Sequence, residues 1–143
     1  MIFADAGYFI AVLKPRDGIH ARAKRWEAAT ASDRILTTEA VLVEVFNAMA
    51  GGTDRRKVVL LDRFLRTNRR HLLIQTDPDL LGRGIKRYAE RPDQAWGLTD
   101  CVSFVVMEEH GVHQALAHDH HFEQAGFEAL LRREPAGEDG GGR

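Results

Sequence analysis

With 143 residues, 44% of them hydrophobic and 29% charged, the chain fits one ordinary folded domain with a single core, not a disordered or fibrous segment. Cys101 stands alone, which excludes an intramolecular disulfide and fits a reducing compartment. The net charge of −1 conceals an asymmetry: residues 51–91 hold eleven basic residues against five acids, a net of +6 that leaves −7 elsewhere. Such a division suits either a phosphate-binding surface beside a cation site or two solvated helix faces.

Ile2–Asp5 reads as a short buried strand. Its apolar continuation stops at Lys14-Pro15, too short to span a bilayer and without a basic leader, so the chain is expected in the cytoplasm, away from membranes. Helical patterns follow over 7–13 and 18–30, then a second strand over Ile35–Thr38 and a helix over 39–49. Helices over 54–70 and 77–91 flank a third strand at Leu72–Gln75, and a helix over 99–110 leads to a fourth at Ala115–His118. A weaker fifth strand lies at Glu128–Leu131. Asp54 and Asp77 are candidate N-caps, Pro78 suits a first helical position, and Gly51-Gly52 and Gly111 read as terminators. Strands separated by helices predict an α/β fold. A three-layer α/β/α domain with a parallel sheet of four to five strands is expected over 1–133. The tail 134–143, rich in glycine, is expected to be disordered.

Several acids stand where an acid is expensive. Asp5 closes the first strand, Glu44 lies within the apolar stretch Ala40–Ala50, and Asp100 lies within Trp96–Met107. Helical neighbours three or four residues away can neutralise an acid. For Glu44 these are Ala40, Val41, Asn47 and Ala48; for Asp100 they are Trp96, Gly97, Ser103 and Phe104. None is basic. A helix apolar all round is buried, so both carboxylates are expected to be partly desolvated, at a cost of several kcal/mol each if uncompensated. A proton, a distant arginine or a metal could compensate, and a divalent cation answers a whole cluster together. Oxygen donors without thiolates favour Mg²⁺ or Mn²⁺. Ligands in an open parallel sheet bind beyond the carboxyl ends of the strands, where Asp5 and Asp119 are expected and which Glu44 and Asp100 can face. Read one at a time, each acid is equally well a helix cap or a salt-bridge partner.

The stretches ADAGYFIAVL (4–13), TTEAVLVEVFNAM (37–49), GLTDCVSFVVM (97–107) and ALAHDHHFEQAGF (115–127), in this order, resemble the PIN domain. The likeness extends to about residue 131, and the compact length is similar to that of VapC toxins, the ribonuclease halves of toxin–antitoxin pairs. The resemblance implies a metal-dependent endoribonuclease with RNA as substrate and a cognate antitoxin as partner. Carried over by position, Asp5 and Asp100 match the principal metal-ligand acids, and Glu44 and Asp119 complete a catalytic quartet holding Mg²⁺ or Mn²⁺. Ala6 stands where the family often has Thr or Ser, and His118, His120 and His121 bring more imidazole than is usual. Thr99 could cap its helix and orient Asp100.

Other residues carry weaker signals. The His-Asp-His-His run could bind zinc, though without a thiolate. Cys101 beside Asp100 suits the core better than nucleophilic chemistry. Trp26 and Trp96 suit core or dimer packing better than base stacking. A homodimer is expected through Val58, Leu61, Leu65, Leu80, Leu81 and Ile85. Two other functions compete: a catalytically silent RNA- or partner-binding module, and a Mg²⁺-dependent phosphatase. Gly7, where a phospho-aspartate phosphatase usually carries a second acid, counts against the latter.

Overall fold

The computed structural model describes residues 1–137. Its centre is a five-stranded, all-parallel sheet in the order β3-β2-β1-β4-β5. The strands are β1 (Ile2–Ala4), β2 (Ile35–Thr38), β3 (His71–Ile74), β4 (Gln114–Leu116) and β5 (Glu128–Ala129). Every residue of β1 and β2 is buried. Successive side chains of a strand point to opposite faces, so both faces of the sheet centre are covered. The α/β architecture expected from the alternation of strands and helices is the one observed.

Seven α-helices surround the sheet among the described residues: α1 (Ala6–Leu13), α2 (His20–Ala29), α3 (Glu39–Ala48), α4 (Arg55–Thr67), α5 (Pro78–Glu90), α6 (Leu98–Glu109) and α7 (His121–Gln124). Local chemistry sets their ends. Asp77 accepts from the Leu80 amide at 2.8 Å, Pro78 opens α5, and Thr38 accepts from Val41 at 3.1 Å to cap α3. Gly111, at φ +63°, follows α6 in a backbone conformation that other residues rarely adopt. Asp54 precedes α4 without a capping hydrogen bond; it pairs instead with Lys14 and Lys57.

The core is aromatic where α6 and α7 meet. Phe104 stands edge-on to Trp96 and Phe122, with ring centroids 5.1 Å apart in each case. Trp26 and Trp96 are both buried core residues, and their indole N–H groups donate to Arg133 O and Gln124 Oε1. Cys101 is fully buried, and burial first, then Asp100, pushes its thiol up.

Strand β4 ends two residues earlier than the sequence suggests, so Asp119 sits in the loop beyond it. In the segment assigned to the tail, Glu134 accepts hydrogen bonds from Arg22 and Arg25, and Pro135 is buried. The rest of that expected tail, 138–143, lies outside the described residues. No helix among the described residues is long and apolar enough to cross a membrane.

Candidate metal centre

Strand order places β1 beside both β2 and β4, and chain direction across the sheet reverses there. At such a switch point the loops leaving adjacent strands diverge and open a crevice at their carboxyl ends. Asp5 follows β1 directly, and its amide donates to Leu116 O of β4 at 3.1 Å, which ties the two sides of the crevice together. An open cleft of about 960 Å³ lies here, and Asp5, Glu44, Asp100 and Asp119 all line it. Four acids far apart in sequence thus meet at one place.

Their environments differ. Asp5 is buried, and its carboxyl is pushed up to about 7. Desolvation is the main cause; the Ala6 amide opposes it, and the charges of Asp100, Glu44 and Asp119 add to it. Asp100 is half-buried in the first turn of α6, and burial raises its pKa too. Its Oδ2 accepts from the Gly97 amide and contacts His121 Nδ1, each at 3.1 Å, and both interactions oppose the rise. The cap of α6 is therefore completed by Asp100 reaching back to Gly97. Thr99 does not cap the helix; its carbonyl accepts from the Ser103 hydroxyl.

Glu44 and Asp119 are solvent-exposed, which corrects the expected desolvation of Glu44. Helix α3 is apolar in composition but not buried all round: Val41, Leu42 and Val45 face the core, while Val43 and Phe46 are exposed. Composition alone could not distinguish a buried helix from one with an uncovered apolar face. Asp119 holds the turn into α7, with its Oδ1 accepting from the His121 amide at 3.0 Å.

Sequence reasoning passed over three further residues lining the cleft. Asp17 accepts from the Ile19 amide at 3.0 Å, Asn47 lies one helical turn from Glu44, and Arg132 brings a cation. Arg132 also pairs with Glu123 at 2.7 Å and donates to His118 O at 3.3 Å. Asp17 sits in a loop and Asn47 on an exposed helix face, so neither carries a local signal. The basic segment 51–91 contributes no described residue to the cleft. Many of its cations have partners: Arg66 with Asp62, Arg83 with Asp79, Arg87 with Glu108 and Arg91 with Asp93.

The donor set fits a hard divalent cation. Four carboxylates sharing one cleft repel one another, and the raised pKa of Asp5 reflects burial first and then that repulsion. A divalent ion supplies the missing positive charge, and oxygen ligands alone suit Mg²⁺ or Mn²⁺. The chain is thus a parallel α/β domain with an acidic cleft at its switch point. The chain belongs to the PIN domain family, whose model matches residues 2–128. Its fold is similar to that of VapC20 from Mycobacterium tuberculosis, described as a sarcin–ricin-loop-cleaving toxin. The TM-score is 0.80 with 24% identity, over 89% of this chain and 96% of that one. No curated protein sequence matches this one significantly.

Proposed function

We propose that this chain is a Mg²⁺- or Mn²⁺-dependent endoribonuclease and the toxin of a toxin–antitoxin pair. The observation that carries the reading is the convergence of Asp5, Glu44, Asp100 and Asp119 on one cleft. Membership of the PIN family and the fold shared with VapC20 support it. Asp5 and Asp100 are the principal ligands, with Glu44 and Asp119 completing the set. A bound ion would supply Lewis acidity and a water of lowered pKa. The side chains do the rest. Asp100, gripped by Gly97 and His121, keeps one orientation. Arg132 at the rim binds a phosphate oxygen, a contact that positions RNA without specifying its sequence. Hydrolysis breaks the bond between phosphorus and the 3′-oxygen, leaving a 5′-phosphate and a 3′-hydroxyl.

The antitoxin would cover the exposed apolar residues of α3, Val43 and Phe46, which flank Glu44. Pairing of two chains would use α4 and α5, on a face shifted from the expected one. Val58, Leu65 and Leu80 are buried in the core and Leu61 is partly buried, whereas Val59, Leu60, Phe64, Leu81, Ile85 and Tyr88 are exposed. The purified chain, given a mixed RNA substrate, is expected to cut it with Mn²⁺ or Mg²⁺ and to stop in EDTA. Intact RNA under all conditions would favour a binding module, and phosphate release from a monoester would favour a phosphatase.

A further inference from the structure

His120 lines the cleft beside Asp119, and neither it nor His121 belongs to the carboxylate quartet. The donor atoms are close together: ligand atoms of Asp119, His120 and His121 all lie within 4.8 Å of one another. His121 Nδ1 is 3.3 Å from Asp119 Oδ2 and 3.1 Å from Asp100 Oδ2. His120 Nδ1 is 3.4 Å from Asp119 Oδ1, and the two imidazole rings are 4.7 Å apart. With metal–nitrogen and metal–oxygen bonds of about 2.0–2.1 Å, adjacent ligand atoms around a tetrahedral Zn²⁺ stand about 3.3 Å apart. The separations of His120 Nδ1 and His121 Nδ1 from the two Asp119 oxygens, 3.4 Å and 3.3 Å, are close to that spacing.

The chemistry of the two halves of the cleft therefore differs. Asp5 and Glu44 offer oxygen only, while the other end offers two imidazoles and two carboxylates. Imidazole selects borderline ions such as Zn²⁺ and Co²⁺ over Mg²⁺. We propose that Asp119, His120 and His121 form a three-donor site for Zn²⁺, with water as the fourth ligand. It shares Asp119 with the hard-ion cluster. Because Asp119 turned towards Zn²⁺ and the two imidazoles is drawn away from the hard-ion cluster, Zn²⁺ at this site distorts the Mg²⁺ or Mn²⁺ arrangement. Zinc would thus act as an inhibitor, a consequence that rests on the nuclease reading, whereas zinc binding itself does not.

Binding is tested on the full, tag-free, metal-free chain by titrating Co²⁺ and recording visible absorbance, then adding Zn²⁺. Four-coordinate, nitrogen-containing Co²⁺ sites absorb much more strongly than six-coordinate oxygen sites. Wild type is expected to give the strong bands and to lose them with one equivalent of Zn²⁺. Asp5→Asn should keep the bands. His120→Ala, at an exposed position where folding is not at stake, should weaken Co²⁺ and Zn²⁺ binding by about tenfold or more, and His120→Ala/His121→Ala should abolish the bands. Weak bands in wild type, or unchanged strong bands in both histidine variants, overturn the zinc site whether or not the protein cuts RNA. A second arm measures Mn²⁺-dependent RNA cleavage with added Zn²⁺, where inhibition in wild type and its relief in His120→Ala are expected. Failure to cleave with Mn²⁺ alone would count against the nuclease reading and leave the absorbance result standing.

Discussion

Asp5 is the residue on which the energetics of the cleft turn. Its carboxyl sits near 7 in the folded chain against an ordinary value of 3.8, chiefly through burial. The native state thus holds that proton more tightly than the unfolded state does. The resulting stability is fully present below pH 3.8 and disappears as pH rises through about 7. A displacement of this size corresponds to at most about 4 kcal/mol. Metal-free protein is therefore expected to unfold at a higher temperature near about pH 5.5 than near about pH 8. Asp5→Asn should remove most of that difference and raise the midpoint at the higher pH. Thermal unfolding of both proteins in EDTA checks this; an equal pH dependence in the two would contradict it. Glu134, depressed to about 2 by Arg25 and Arg22, loses its contribution only in acid and does not interfere in that window. Of these residue-level features, the isolation of Asp100 was legible because no basic residue lies three or four positions away on its helix. The Asp100–His121 contact was not, since it joins residues 21 apart.

Among the elements, α5 and α6 pack most extensively against each other. Gly84 of α5 lies against Val102 of α6, so near that a Cβ at position 84 would stand 2.5 Å from Val102 Cγ2. Val102 is fully buried and stiff at its branched carbon, so it cannot swing aside cheaply. Gly84→Ala would ordinarily favour a helix, but here overpacking is expected to prevail and cost about 1–3 kcal/mol. Denaturant unfolding measures it, and a variant as stable as wild type would show that the helices separate freely. Because α6 carries Asp100 in its first turn, the same change should also weaken metal binding. All five strands and the six longer helices follow from periodicity, caps and glycines, since short buried runs separated by amphipathic ones leave few alternatives. The faces of the helices were harder to read. In α4, for example, residues 58 and 65 turn inward while 59, 60 and 64 remain exposed. A near-continuous apolar run fixes a helix without fixing which apolar residues it buries, because the deciding contacts come from distant elements.

At the scale of the whole molecule, the apolar residues of α4 and α5 that remain exposed suit pairing between two chains. Sedimentation equilibrium at micromolar concentration is expected to give a dimer, and Tyr88→Glu to shift it towards monomer; a wild type that stays monomeric removes the proposed pairing. The cleft itself asks for a different measurement. Asp100→Asn is nearly isosteric, and its amide oxygen can still accept from Gly97, so the metal-free variant should stay folded. A neutral amide holds a hard divalent ion far less well than a carboxylate, and no neighbouring first-turn acid can take its place. Mg²⁺ should raise the melting temperature of wild type more than that of the variant. The most direct test is RNA cleavage by wild type and Asp100→Asn in Mn²⁺, each with an EDTA control. Wild type is expected to cut only with the metal present, and the variant to cut slower by about a hundredfold or more. Cleavage by the variant at the wild-type rate, or by wild type undiminished in EDTA, would contradict a carboxylate-held metal as the source of activity.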